Sequence, residues 1–258
     1  MGAAGTAFAS DYDGTLCQSN WETGEEYFDP AVLEAIERYR QAGGLFGVCT
    51  GRPMHPMSDR IRNTVDLDFY IVTTGAAVFD RNQNALFERT INHAVAQELY
   101  EQYASDEVGF LAITDVSFYN VGKTYVQKID TVDTIDQAEG KLLGVSLEFR
   151  GNEQAARTAR NAMNARYAGV IEGFQNLGSV DVVAHGCSKG TGVEVVRKAL
   201  GVNVVAGAGD SYNDLPLLTA ADVSYTFHTS PAQVRAAATN TVADLAEALN
   251  HFMQSIEQ

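Results

Sequence analysis

Both ends of this 258-residue chain consist of short, continuous apolar runs of strand length, each followed by sequence with helical spacing. Thr6 to Ser10 is the first run; Asp29-Pro30 then offers an N-cap with proline at the first helical position, and Val32, Leu33, Ile36 and Tyr39 recur at helical spacing before Gly43-Gly44. "LFGVC" (Leu45 to Cys49) and "DFYIVTT" (Asp68 to Thr74) are two further runs. The last quarter resumes the pattern with "TGVEVVRKAL", "VNVVAGAG", "ADVSYTF" and a closing helix over Ala243 to Ile256. Strands alternating with helices imply right-handed crossovers and a parallel sheet covered on both faces, which is an α/β fold.

The middle of the chain reads differently. From about Phe79 to Val183 it shows a hairpin-like "FDRNQNALF", short strands "FLAIT", "SFYNVG" and "TYVQKID", and helices near 93–103, 131–142 and 154–167. Short neighbouring strands with small turns predict an α+β module with an antiparallel sheet, inserted into the first unit. The expected division is 1–79 and 186–258 for the α/β core and 80–185 for the insertion, and the length suits two such units.

A formal charge of -15 argues against a nucleic-acid partner, whose phosphates need many Lys and Arg side chains. Cys17, Cys49 and Cys187 are odd in number and widely separated, which opposes a disulfide framework. Neither a membrane-length apolar run nor a secretory leader is legible, so the expected location is the cytoplasm, with no membrane partner. Oligomeric state is left open.

Four stretches stand at or beside the predicted carboxyl ends of strands, where open parallel sheets place their ligands. They are "DYDGT" (Asp11 to Thr15), "CTGRP" (Cys49 to Pro53), "SKGTG" (Ser188 to Gly192) and "GDSYND" (Gly209 to Asp214). Asp11 and Asp13 project to the same side of an extended strand end, and two close carboxylates persist when a cation lies between them or one holds a proton. Alone, each stretch has a bland reading: an acidic turn, a loop, a surface lysine, or a helix cap by Asn213 or Asp214.

Taken in order, strand-DxDGT, strand-TGR, a lysine before a helix and strand-GDxxND, the four resemble the haloacid dehalogenase (HAD) superfamily of phosphohydrolases. The long insertion between the second and third motifs is similar to the α/β cap of the Cof-like branch, and "IVTTGAAVFD" looks like that branch's strand entering the cap, with Thr74 where Asn is usual. The resemblance implies a Rossmann-like core and a catalytic set. Asp11 would be the nucleophile that forms an aspartyl phosphate, and Asp13 the acid/base, protonated before reaction. Thr50, the Gly51 amide and Lys189 would bind the transferring oxygens, with Asn213 beside them. Mg²⁺ would sit on Asp11, the Asp13 carbonyl and Asp210, with Asp214 orienting Lys189. Arg52 is a candidate substrate contact. The expected substrate is a small phosphorylated metabolite, a sugar phosphate being favoured; a sugar phosphomutase and a non-catalytic phosphate-binding protein are the alternatives.

Rival motifs fail on spacing. "GAGD" at Gly207 has Tyr212 where a dinucleotide fingerprint needs its third glycine, and "SKGTG" lacks the flanking residues of a P-loop. His185 and Cys187 have no matching zinc pair. No motif marks the cap residues that set specificity; Tyr119, Lys123, Lys128 and Arg150 are candidates, and His228 is another outside the cap.

Overall fold

The computed structural model describes residues 2–19, 26–55, 61 and 63–256. In chain order the strands are β1 (Thr6–Ser10), β2 (Gln18–Ser19), β3 (Glu26–Tyr27), β4 (Leu45–Cys49), β5 (Phe69–Val72), β6 (Ala77–Asp80), β7 (Ala85–Glu88), β8 (Gly109–Thr114), β9 (Phe118–Val121), β10 (Thr131–Val132), β11 (Leu142–Glu148), β12 (Ile171–Asn176), β13 (Ser179–Ala184), β14 (Val204–Ala208), β15 (Val223–Phe227) and β16 (Asn240–Val242). The helices are α1 (Pro30–Gln41), α2 (His93–Tyr103), α3 (Glu153–Arg166), α4 (Lys189–Leu200), α5 (Leu215–Ala220), α6 (Ala232–Ala237) and α7 (Leu245–Ile256).

Eight strands form one sheet in the order β16-β15-β14-β1-β4-β5-β6-β7, parallel from β16 to β5 and antiparallel beyond. Alternation along β1 explains both faces. Phe8 points one way, stacking on Phe46 and Tyr225 and meeting Phe252 of α7 edge-on, within a cluster that also takes Val32, Ile36 and Tyr39 of α1. Ala7 and Ala9 point the other way and join Ile71, Val193, Val196 and Leu217 under α4 and α5. The order changes direction at β1: the chain leaves it toward β4 on one side, and β14 lies on the other. That topological switch point opens a crevice at the strand ends.

Six strands form the second sheet, β10-β9-β8-β11-β13-β12, mostly antiparallel, with α2 and α3 over one face. Val145, Leu147, Val180 and Val182 face those helices. The opposite face, carrying Ser146, Glu148 and Asp181, turns toward the larger sheet. Hairpin β6-β7 belongs to the larger sheet, so sheet membership changes after Glu88 rather than at residue 79; Val183 and Ala184 lead back into the larger unit's core cluster.

Two expected elements are corrected. The helix over 131–142 is instead β10, a single 3-10 turn over Ile135–Gln137, and the start of β11, because Thr131 and Val132 pair with β9. "TYVQKID" is a loop: the Asn120 side chain donates to Val126 O and Ile129 O and accepts from the amides of Tyr125 and Val126, replacing a strand ladder.

Candidate active site

Asp11 follows β1 directly, its amide donating to Ala208 O of β14. Its carboxylate is buried and accepts from Lys189 Nζ at 2.6 Å, while the same ammonium donates to Asp214 Oδ1 at 2.5 Å. Lys189 is the first residue of α4, whose N-cap is Ser188 in a reciprocal capping box with Thr191. Its side chain is fully buried; burial alone would lower its pKa, but Asp11 and Asp214 outweigh burial and raise it, so it stays an ammonium. Asp214 Oδ2 accepts from the amides of Asp210 and Ser211, fixing the turn after β14.

Asp210 completes the acidic group. Oxygens of Asp11, Asp210 and Asp214 lie within 4.8 Å of one another. Thr15 Oγ1 donates to Asp210 at 3.0 Å. Burial, then the Asp214 charge, push the Asp210 carboxyl up to about 6. Burial and Asp214 raise Asp11 in the same way against the opposing pull of Lys189. The donor set is all oxygen, which fits a hard divalent cation. Gly14, at φ +79°, is the neighbour: a Cβ there would come within 3.0 Å of Asp210 Oδ2, so the glycine keeps the space beside that carboxylate open. Asp11 and Asp210, with Asp214 beside them, are the carboxylates that could hold such an ion.

The Asp13 carboxylate is turned elsewhere. Arg52 Nε and Nη2 grip it at 2.8 and 2.6 Å, and Arg52 Nη1 donates to Glu26 at 2.9 Å. The guanidinium lies 4.7 Å from the Tyr12 ring centroid, and Tyr12 OH donates to Glu26. Arg52, expected as a substrate contact, therefore holds Asp13 in this arrangement.

Thr50 is buried, and its hydroxyl oxygen accepts from the Arg52 amide, leaving the hydroxyl proton available. The loop it heads is tied to the turn after β5 by Thr73 N donating to Arg52 O and Thr74 N to Thr50 O. Thr73 and Thr74 have φ of 47° and 52°, a left-handed pair that β-branched residues rarely adopt. Asn would tolerate that conformation better than Thr.

From the second sheet Asp181 reaches into the same space. Its carboxylate lies 3.0 Å from Ser146 Oγ with the side chains of Asn213 and Thr74 beside it, and Oδ2 lies 3.0 Å from where a Cβ of Gly51 would stand. The Ser146 hydroxyl also lies 3.0 Å from Glu148, so its one proton serves either carboxyl, and burial and then Asp181 push the Glu148 carboxyl up to about 7. Asn213 is thus directed to Asp181.

Sequence reasoning missed Thr15, Glu26, Ser146, Glu148 and Asp181. Only Asp181 left a signal, as a carboxylate inside the otherwise apolar "SVDVVA"; Glu26 is brought in by the small β2-β3 pair. Among the earlier candidates, Lys123 pairs with Asp106 and Arg150 donates to Asp106 O. Both are thereby tied to a cap loop. Tyr119 is buried and His228 exposed; Cys187 lies in a core cluster and His185 faces Glu172. Among the described residues no helix is long and apolar enough to cross a membrane.

A parallel sheet with a buried lysine among carboxylates at its switch point, and a second sheet reaching over it, defines an α/β enzyme with a covered acidic site. The family of haloacid dehalogenase-like hydrolases matches this chain over residues 8–248, and the chain belongs to it. An uncharacterised protein of Mycoplasma capricolum is 23% identical over 227 residues, covering 81% of this chain and 84% of that one. Among solved structures, a HAD subclass IIB sugar phosphatase superposes with a TM-score of 0.78 at 19% identity, covering 96% of this chain and 98% of that one. A HAD phosphatase from Bacteroides thetaiotaomicron gives 0.77 at 19% identity, covering 96% and 94%. A Streptococcus mutans UA159 protein gives 0.80 at 18% identity, covering 98% and 99%. The fold is that of the HAD hydrolases with a cap.

Proposed function

We propose that this chain is a Mg²⁺-dependent phosphomonoesterase that releases phosphate from a small phosphorylated metabolite, a sugar phosphate being the favoured class. The observation that carries the reading is Asp11 at the end of β1, aligned by the buried Lys189 and flanked by Asp210. Asp11 attacks phosphorus as the bond to the leaving alcohol breaks, giving an aspartyl phosphate. Asp13 protonates the departing oxygen, then takes a proton from the water that attacks phosphorus and frees Asp11. Arg52, gripping the Asp13 carboxylate through two nitrogens, positions it for both transfers. Lys189, the Thr50 hydroxyl and the Gly51 amide stabilise the transferring oxygens, and Asp214 keeps Lys189 in place. A Mg²⁺ held by Asp11, the Asp13 carbonyl and Asp210 would offset the phosphoryl charge.

In this reading the unit built on the larger sheet, residues 1–88 and 186–258, is catalytic, and the second sheet with its helices is the cap. Ser146, Glu148 and Asp181 offer acceptors suited to a substrate rich in hydroxyl groups, and the enzyme works in the cytoplasm on a small molecule rather than on nucleic acid or membrane. The test is a panel of phosphorylated metabolites with Mg²⁺, following free phosphate and isomer formation together. Phosphate release abolished by EDTA is the expected result; isomer without phosphate would favour the mutase, and no reaction across the panel would favour the non-catalytic protein. Asp11→Asn should lower kcat at least about 10³-fold with the fold intact, as loss of a nucleophile does; retained turnover would remove Asp11 from that role.

A further inference from the structure

A second basic site lies at the seam between the two sheets, away from the aspartates. Of the chain's 18 lysines and arginines, four fall within residues 150–166, in a protein of net charge -15. Two of them, Arg157 and Arg160, are three residues apart on α3 and line a cavity of about 300 Å³. The cap supplies these arginines and Glu172 of edge strand β12; the larger unit supplies Tyr212, Leu215 and Gln233.

Arg160 Nε is buried and has no hydrogen-bond partner. Arginine cannot shed its proton, and since Nε has no accessible surface the guanidinium meets the cavity through its outer Nη groups. Arg157 Nε makes only a long contact of 3.5 Å with Gln175. The one carboxylate in the wall, Glu172, already accepts from the Gly186 amide and faces His185. Two guanidinium forks on one helix face suit an anion with several acceptor oxygens, and the cavity is at the small end of ligand sites.

We infer that this seam cavity is a second anion site, taking inorganic phosphate or the phosphate of a small phosphorylated metabolite, and that its occupancy holds the cap against the larger unit. Both walls contact the ligand, so binding favours the joined arrangement. Tyr212 and Leu215 also flank Asn213 and Asp214, which places a wall of the cavity next in sequence to the group that holds Lys189.

The test uses the Asp11→Asn protein, so that an ester is not consumed, in EDTA; because Lys189 still attracts phosphate at the catalytic site, binding is assigned to the seam by its loss in the arginine variants. Isothermal titration with inorganic phosphate, and separately with a hexose phosphate, should show one saturable site. Binding of both would assign the site to phosphate itself, and binding of the ester alone to a metabolite. Arg157→Gln, on an exposed residue whose loss does not threaten folding, should weaken binding about tenfold or more, and Arg157→Gln with Arg160→Gln should abolish it. Hydrogen exchange should slow on both walls, at 157–175 and at 212–216. No saturable binding of either probe, undiminished binding in the arginine variants, or protection confined to the cap would overturn the proposal.

Discussion

At the scale of single residues, the site is a set of charges held by named counterparts. Lys189 keeps Asp11 and Asp214 in register, Thr15 holds Asp210, and Arg52 holds Asp13. Lysine cannot reproduce a two-pronged grip on a carboxylate while also reaching Glu26. Arg52→Lys should therefore lower kcat about tenfold or more with little change in stability, measured by steady-state kinetics and thermal unfolding. Position 74 leads to the opposite kind of prediction. Thr74 bears a left-handed backbone that costs of order 1–3 kcal/mol for such a residue. Asparagine tolerates it and keeps a polar side chain beside Asp181, so Thr74→Asn should stabilise the protein by about 1 kcal/mol in urea unfolding. The motifs around Asp11, Thr50, Lys189 and Asp210 were legible because each stands where a strand ends. Glu148 was not, and Asp181 showed only as a carboxylate in an apolar run, since which face of a cap strand turns to the core depends on the pairing of distant segments.

Elements position these groups through close approaches that leave no room for a side chain. Gly75, in the turn between β5 and β6, has φ +85°, and a Cβ there would fall 1.9 Å from Ser188 O, the N-cap of α4. Gly75→Ala would collide with backbone and strain its own, moving the first turn of the helix that begins with Lys189. The expected outcome is a loss of about 3 kcal/mol or more in denaturant unfolding, with activity lost even in the folded fraction. Helical spacing and capping residues in the sequence located α1, α3, α4 and α7. They failed over 131–142, where pairing with β9 overrode a local helical pattern, and over 124–130, where Asn120 supplied the hydrogen bonds of a strand.

On the scale of the whole molecule, the two sheets meet through buried carboxylates, which ties stability to pH. The Glu148 carboxyl is pushed up to about 7 by burial and then by Asp181, from an ordinary value of 4.5 in the unfolded chain. Between those values the folded protein binds more protons than the unfolded one, so stability is full below about 4.5 and falls as pH rises through about 7. The whole shift corresponds to about 3 kcal/mol. Glu148→Gln should remove this contribution: the variant should be nearly as stable as the parent at pH 5 and clearly more stable at pH 8 by urea unfolding. Equal differences at both pH values would show that Glu148 ionises freely where it sits.

The sequence by itself determined the α/β class, the inserted module and the strand-end motifs, because hydrophobic period and turn chemistry are local and survive without neighbours. Tertiary structure alone decided that Asp13 rests on Arg52 and Glu26, that Asp181 leans onto Thr74 and Asn213, and that Arg157 and Arg160 open onto a seam cavity. Each of these contacts joins residues far apart in the chain, and their meeting is set by sheet order, register and the placing of one sheet over the other.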